Sequence, residues 1–397
     1  MLVELDAVRI IDINIPFVRR LGSASNPQLY KSGCVLVFSG AGDLGFGEAP
    51  VFVEPTYSEE FVAQTHGALE LFLGVVFAKC ANVGLGRAKI DIDKAMTTLR
   101  AFKGNNSAKA AIEIGLLDLY ARQNCLAPGV VLAQYARNLG FFEIAQRFES
   151  SAANLTPAIL GQGTSLGLQF DHSARSLELA RLERLGYRRI KVKVNESLNF
   201  GELTELVRGS SVELSCDANG TLVDPQSAIE LARCGFSYLE QPFRAGGVGY
   251  VRELHRHLTQ ESDIKLCLDE SLCSIEAVED AIEFIPFSIA VLKLSRLGGI
   301  APLLAAVQKL EAANIAYYIG GMYDTPILRQ LNAILIQALQ PAEISDLGPD
   351  GDYFNREIEP SIYRDDRGLL QLANASYISC AFVVPERYRG YTSVVKA

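Results

Sequence analysis

From about Ala133 to Leu347, short runs of branched apolar residues alternate with longer stretches whose apolar positions recur every three or four residues. Alternation of strand and helix signals implies a parallel sheet. Candidate strands lie near 156–161, 189–194, 212–217, 237–240, 264–269, 289–294, 316–320 and 342–346. Helical partners include Ser173–Leu185, Pro225–Arg233, Val251–Gln260, Ile275–Phe284, Ala301–Ala313 and Ile327–Leu339. The pattern predicts an α/β fold, a (β/α)8-type barrel over residues 128–353.

Residues 1–127 follow a different pattern and predict an α+β capping domain, completed by about 354–397. Val8–Ile15 has strand character, and residues 22–33, rich in Gly, Ser, Asn and Pro, read as a mobile loop. Cys34–Ser39 and Gly45–Ala49 predict a hairpin turning through Gly40-Ala41-Gly42-Asp43. Helical runs follow over Ser58–Phe77, Ile90–Phe102 and Ser107–Gln123, the last with an apolar face of Ala108, Ala111, Ile112, Gly115, Leu116 and Leu119. In the tail, Tyr377–Val384 reads as a strand returning to this first region.

A chain of 397 residues suits a barrel with a second, smaller domain, and 49% hydrophobic content supports a large core. The net charge of −9 argues against nucleic acid or an anionic membrane as partner. No apolar run reaches the length of a membrane span, and the first residues do not form a signal peptide, so the expected compartment is the cytoplasm. The eight cysteines have no C-x-x-C spacing; they read as small buried apolar residues of a reducing compartment, and a zinc site is not expected.

The candidate chemistry begins at Arg189-Ile190-Lys191-Val192-Lys193-Val194. Residues i and i+2 of a strand share a face, so Lys191 and Lys193 are neighbours, and mutual repulsion with burial should lower a lysine pKa. Alone, Lys-x-Lys is also an edge-strand guard against aggregation. Downstream, further strand-like runs end in charged residues: Asp217, Glu240, Asp269 and Lys293. The steps from Lys193 are 24, 23, 29 and 24 residues (217−193, 240−217, 269−240, 293−269). Each is close to one barrel unit of about 30 residues, and charged residues at the C-terminal ends of barrel strands converge on one mouth. Three carboxylates flanked by lysines suit one hard divalent cation.

The ordered motifs Gly45-Phe46-Gly47-Glu48-Ala49, Pro55-Thr56-Tyr57-Ser58-Glu59-Glu60, Gly104 to Glu113, Gly163-Thr164-Ser165-Leu166-Gly167, the Lys191/Lys193 strand, Asp217-Ala218-Asn219, Glu240-Gln241-Pro242, Leu268-Asp269-Glu270-Ser271, Lys293 to Gly299 and Gly320-Gly321-Met322 run through most of the chain. With them the chain resembles the enolase superfamily in its muconate-lactonising-enzyme subgroup, and more narrowly the o-succinylbenzoate synthase / N-acylamino acid racemase family. The resemblance breaks at Tyr323-Asp324-Thr325-Pro326, where the family usually has Leu-Glu followed by Thr or Ser and where Pro326 should alter the loop backbone. It breaks again in the tail from Pro349, which lacks a glycine-rich ending.

The resemblance implies Mg²⁺ (Mn²⁺ as an alternative) on Asp217, Glu240 and Asp269, Lys193 as general base with Lys191 beside it, and Lys293 facing the other side of the substrate carbon. The substrate is then a small carboxylate, and the reaction a dehydration giving o-succinylbenzoate, a racemisation of N-acyl or N-succinyl amino acids, or both. Muconate cycloisomerisation, dipeptide epimerisation and a non-catalytic binding barrel are the alternatives. Family resemblance favours a homo-oligomer. Only one of the adjacent Asp269 and Glu270 can point inward along a strand, so Asp269 is the expected ligand and Glu270 the partner of a lysine. Asn219 is either a partner of the ligands or a turn former. Ser165, Gly321, Met322 and Asp324 are candidate pocket residues, with core or loop roles as the alternatives, and Glu48 is either pocket wall or structural. None of His66, His172, His255 and His257 falls at a strand end, which argues against a His–Asp catalytic pair, and His255 and His257 are expected on a solvated helix face. Ser345-Asp346-Leu347 lacks the Asp-x-Asp of a dipeptide epimerase.

Overall fold

The computed structural model describes all residues except 23–26, 85–86, 154–162, 168–171, 247, 360, 367–368, 374–375, 380 and 397. Seven strands, Gly163–Leu166, Arg189–Lys193, Glu213–Asp217, Tyr238–Glu240, Lys265–Leu268, Ile289–Leu292 and Ala316–Ile319, pair in chain order as one parallel sheet. The expected first strand at 156–161 lies outside the described residues, and the sheet's first strand comes just after it, at Gly163. The expected eighth strand near 342–346 is not a regular strand. Instead, Asp346 N–H donates to the Ile319 carbonyl at 3.1 Å and Gly163 N–H donates to the Leu347 carbonyl at 3.2 Å, so Ser345–Leu347 joins the last strand to the first. The ladder is broken there because Ser345 Oγ, rather than a backbone carbonyl, accepts from Ile319 N–H. The ring therefore has eight staves, seven strands and one closing segment.

Helices pack outside the sheet. Pro225–Arg233 and Ile275–Phe284 have the bounds expected from the sequence, and Phe200–Gly209, not picked out there, starts on Asn199, whose side chain accepts from Gly201 and Glu202 N–H. Pro326 occupies the first position of the helix Pro326–Leu339, with Thr325 as its N-cap. A missing N–H costs nothing at that position, so Pro326 starts a helix rather than distorting a loop.

The capping domain is α+β. Its main sheet runs Arg389–Lys396, Ala7–Gly22, Pro27–Gly40, Asp43–Ala49, all antiparallel. The hairpin turn is Ala41-Gly42, both at positive φ, the conformation that a two-residue turn between twisted strands requires. Two expectations are corrected. Pro27–Gly33 is strand, not loop, because Ala7–Gly22 extends far enough to pair with it. The strand that returns from the tail is Arg389–Lys396, whereas Tyr377–Val384 forms no strand among its described residues.

The helix Asn106–Gln123 binds the two layers together. Its buried residues run around the whole circumference from Ser107 to Leu119, rather than along one face. A Cβ on Gly47 would run into the Ala111 carbonyl, which explains the glycine in the strand that lies on this helix. At its N-terminus Ser107 N–H donates to Glu60 Oε2 at 3.0 Å, and Asn106 Nδ2 donates to the Arg296 carbonyl at 3.0 Å, tying the cap to the short helix Leu294–Leu297 at the barrel mouth. Among the described residues no helix is long and apolar enough to cross a membrane.

Candidate active site

Lys193, Asp217, Glu240, Asp269 and Lys293 sit at or just beyond strand ends, where the ladder stops and side chains enter the mouth, while Lys191 lies within its strand. Lys193, Asp217 and Glu240 are register partners on three adjacent strands. Lys193 ends the second stave and Lys293 comes directly after the sixth, so in an eight-stave ring they stand on facing walls. A cavity of about 1460 Å³ opens between the barrel mouth and the cap. Lys191, Lys193, Asp217, Asn219, Asp269, Glu270 and Lys293 line it, as do Ser165, Gly321, Met322 and Asp324. Glu240 is fully buried beneath the cavity floor.

The polar contacts form two linked groups. On one side, Lys193 Nζ donates to Asp217 Oδ2 at 2.6 Å and to Asn219 Oδ1 at 2.7 Å. Lys191 Nζ, deeper, donates to Glu240 Oε1 at 2.6 Å and to Asp346 Oδ2 at 3.2 Å, and lies 3.4 Å from Asp217 Oδ2. On the other side, Lys293 Nζ donates to Asp269 Oδ2 at 2.8 Å and to the Tyr57 hydroxyl at 3.2 Å. Arg296 donates to Asp269 Oδ1 and, at 2.7 Å, to Tyr57.

Charge balance, not lysine repulsion, sets the titration. Burial is the largest influence and disfavours the Lys193 ammonium, but the Asp217 carboxylate, joined by Tyr323 and Glu240, outweighs burial and the Lys191 charge, and the pKa is pushed up to about 12. The expected lowering is therefore not found. Lys191 behaves likewise: burial opposes its charge, yet Asp346, Glu240 and Asp217 hold its pKa well above the usual range. Burial, then the neighbouring Asp217 carboxylate, push Glu240 up to about 8. Asp269 is held far below the carboxylate range, since Arg296 and Lys293 overcome its burial.

Further expectations change. Glu270 does not bond a lysine: its Oε1 accepts from Asn219 Nδ2 at 3.0 Å. Asp269 and Glu270 both line the cavity, because the strand ends at Leu268 and alternation of side chains ends with it. Asn219 fills both roles weighed for it, with φ 46° at the turn and a bond to Lys193. Glu48 is buried away from the cavity and accepts from Thr325 N–H, Thr325 Oγ1 and Lys31 Nζ. His255 is fully buried rather than solvated, while His257 is exposed. Cys125 and Cys273 are exposed, the other described cysteines buried.

Sequence reasoning missed Tyr57, Arg296, Asp346 and Tyr318. Tyr57 and Arg296 lie within the family motifs, but a loop (Tyr57) and a four-residue helix (Leu294–Leu297, with Arg296) carry no periodicity to show that they aim at Asp269. Asp346 stands out in the sequence only for lacking a paired aspartate. It accepts from Lys191 and Arg189, and Tyr318 donates to Glu240.

Asp217, Glu240 and Asp269 offer hard anionic oxygens, the donor type that Mg²⁺ takes, and Glu240, pushed up first by burial and then by the Asp217 carboxylate, is a group whose charged form a cation would favour. They are set wide, with Lys191 bridging Asp217 and Glu240. Among the described residues, the group of three His, Cys, Asp or Glu side chains whose ligand atoms all lie within 4.8 Å is a different one, Asp12, Cys34 and His66.

The profile of the family described as Enolase C-terminal domain-like matches residues 174–376. An o-succinylbenzoate synthase from Bacillus subtilis (strain 168) is 29% identical over 338 residues, covering 84% of this chain and 82% of that protein. An N-succinylamino acid racemase from Thermus thermophilus is 28% identical over 393 residues, covering 97% and 96%. The crystal structure of muconate lactonizing enzyme from Pseudomonas fluorescens, complexed with muconolactone, superposes with a TM-score of 0.78 at 19% identity, covering 98% of this chain and 100% of that one.

Proposed function

The chain belongs to the enolase superfamily of enzymes, and from that premise we propose that it removes a proton α to a carboxylate in a Mg²⁺-dependent reaction, as an o-succinylbenzoate synthase, an N-succinylamino acid racemase, or both at one site. The reading is carried by Lys193 and Lys293 on facing walls of one cavity, with Asp217, Glu240 and Asp269 on the three staves between them. The two relatives named for these reactions support the choice of substrates.

An α-proton of a carboxylate is hard to remove because its loss leaves a dianionic enediolate. Asp217, Glu240 and Asp269 are the residues that would hold Mg²⁺, and the ion's charge would offset that of the dianion. Lys193 Nζ is the base. It must shed its own proton first, so its ion pair with Asp217 has to loosen in the reacting state, and the nearby Lys191 charge then favours the neutral amine. Asn219 Oδ1 holds Lys193 in place throughout. Lys293 Nζ, oriented by Tyr57 and Asp269, meets the opposite face of the same carbon. In a racemisation it returns a proton there. In a dehydration it stays charged and stabilises the developing anion.

The test is a direct assay of both substrates with Mg²⁺: loss of the α-proton signal of an N-succinyl amino acid in D₂O by NMR, and appearance of the aromatic product from the cyclohexadiene precursor of o-succinylbenzoate by absorbance. Chelation should stop whichever reaction occurs, and added Mg²⁺ should restore it. Turnover of neither substrate overturns the assignment.

A further inference from the structure

In the capping domain, remote from the barrel mouth in sequence and sheet, three elements bring Asp12, Cys34 and His66 together. Asp12 and Cys34 are register partners on neighbouring strands, and His66 is in the first turns of the helix Val62–Cys80. Cys34 Sγ lies 3.3 Å from Asp12 Oδ1, and His66 Nδ1 lies 2.6 Å from the same oxygen. Cys34 is fully buried and His66 nearly so, while the Asp12 side chain keeps 17% of its surface exposed. We propose that Asp12, Cys34 and His66 form a second metal site, for a thiophilic divalent cation such as Zn²⁺, separate from the Mg²⁺ site of the barrel.

The donor set fits. One thiolate, one imidazole and one carboxylate are the ligand types of zinc, and the partly exposed Asp12 side leaves a fourth position for water. A tetrahedral ion with bonds of about 2.0 Å to N and O and about 2.3 Å to S spaces O from N by about 3.3 Å and O from S by about 3.5 Å. The present separations of 2.6 and 3.3 Å thus need only small side-chain shifts. The far side of the imidazole is already held: Nε2 lies 2.8 Å from Ser393 Oγ and 3.7 Å from Glu70 Oε1. Such outer partners orient metal-bound histidines and fix their tautomer.

The alternative role for a Cys, a His and an Asp, nucleophilic catalysis, does not fit. It requires the imidazole to bond the thiol, whereas here Asp12 lies between them. Metal binding balances as an exchange of protons. The ion takes the place of the Cys34 Sγ proton and of any proton on His66 Nδ1, and the displaced protons pass to solvent. Spacing along the chain could not reveal the group, because its members come from two strands and a helix and are 22 and 32 residues apart (34−12, 66−34). Ser393 belongs to the strand that returns from the tail, so the ion would also fasten that strand to the cap.

The experiment titrates the metal-stripped protein with Co²⁺ and then Zn²⁺, with Mg²⁺ in excess to occupy the barrel carboxylates. The expected result is a thiolate-to-cobalt absorption in the near ultraviolet that saturates at one ion per chain, is displaced by Zn²⁺, and is absent from Cys34→Ser and His66→Gln but present in Asp217→Asn. Zn²⁺ should raise the melting temperature of the wild-type protein. No saturable thiolate band in the wild type, or the same band in Cys34→Ser, overturns the site, and the first outcome does so whether or not the variants fold. Because the readout needs no turnover, failure of this site and failure of the proposed reaction are distinguishable.

Discussion

Lys193 Nζ and Asp217 Oδ2 lie 2.6 Å apart, and their Cα atoms are partners across adjacent parallel strands. The sheet register itself therefore presses the proposed base against a carboxylate, and the amine is protonated until that contact loosens. Removing the amine would remove the proposed acceptor for the substrate proton. Lys193→Ala is expected to lower α-proton exchange in D₂O by at least about 100-fold, the scale of general-base catalysis, while far-ultraviolet circular dichroism stays unchanged. Exchange by the variant at the wild-type rate would take the role of base away from Lys193.

Tyr57 ties the cap to Asp269, one of the three carboxylates proposed to hold Mg²⁺. Its hydroxyl accepts from Arg296 and Lys293 and lies 3.3 Å from Asp269 Oδ2. Partners of this kind orient a ligand carboxylate, and their loss typically costs ten- to a hundredfold, here taken as about 30-fold, in metal affinity or activity. Tyr57→Phe keeps the ring that meets Phe52 edge to face and deletes only the hydroxyl. Rates measured across a Mg²⁺ titration should show a higher half-saturating concentration, a lower kcat, or both. A variant indistinguishable from wild type in both would show that Tyr57 merely fills space.

The residues legible in the sequence are those that end strands. Lys193, Asp217 and Glu240 stand in register because a parallel sheet repeats its strand ends, and that repetition leaves a stride along the chain that can be counted. Asp269 and Lys293 keep the stride although the strands before them end one residue earlier. The stride fails for residues that reach the cavity from between the long elements. Tyr57 on a loop and Arg296 on a single helical turn obey no period, and the inward turn of Glu270 arises where a strand ends that alternation assumes will continue. Charge balance is hidden for a related reason. The Lys-x-Lys pair shows two like charges, but the carboxylates that outweigh their repulsion come from other strands, and one, Asp346, from a segment that is not a strand. The effect of Pro326 is equally illegible from its own position, because a proline disrupts a loop backbone or starts a helix according to the residues after it, and here Ile327–Leu339 is helical.

His255 gives a pH signature unrelated to the active site. It is buried beside Phe243, and neither ring nitrogen has a close hydrogen-bond partner. Burial pulls its pKa down to about 4, with only partial opposition from the Pro286 carbonyl. Between about pH 6.5 and 4 the unfolded chain thus binds a proton at this position that the folded chain refuses. The unfolded state then holds more protons, so stability falls as the pH drops through this window, by up to about 3 kcal/mol from this residue. Urea unfolding at pH 7 and pH 4.5 should show a smaller loss for His255→Leu than for wild type. Equal losses would mean that His255 is charged, or solvated, in the folded protein.

The pair Lys31 and Glu48 tests what holds the cap onto the loop where the family pattern breaks. Their charged atoms lie 3.1 Å apart and both side chains are almost wholly buried. Glu48 also accepts from Thr325, the N-cap of the helix Pro326–Leu339, so one carboxylate joins a cap strand to a barrel helix. Breaking a buried pair by deleting one partner strands the other charge, at a cost of about 3–5 kcal/mol, whereas deleting both avoids that penalty. Lys31→Met is expected to cost about that much. Glu48→Gln, which keeps an acceptor for Thr325, should cost less when made on top of Lys31→Met than when made alone. A double-mutant cycle by urea denaturation measures the difference. Additivity within about 0.5 kcal/mol would mean that the two charges do not depend on each other, and the helix would then be held to the cap by the Thr325 hydrogen bonds alone.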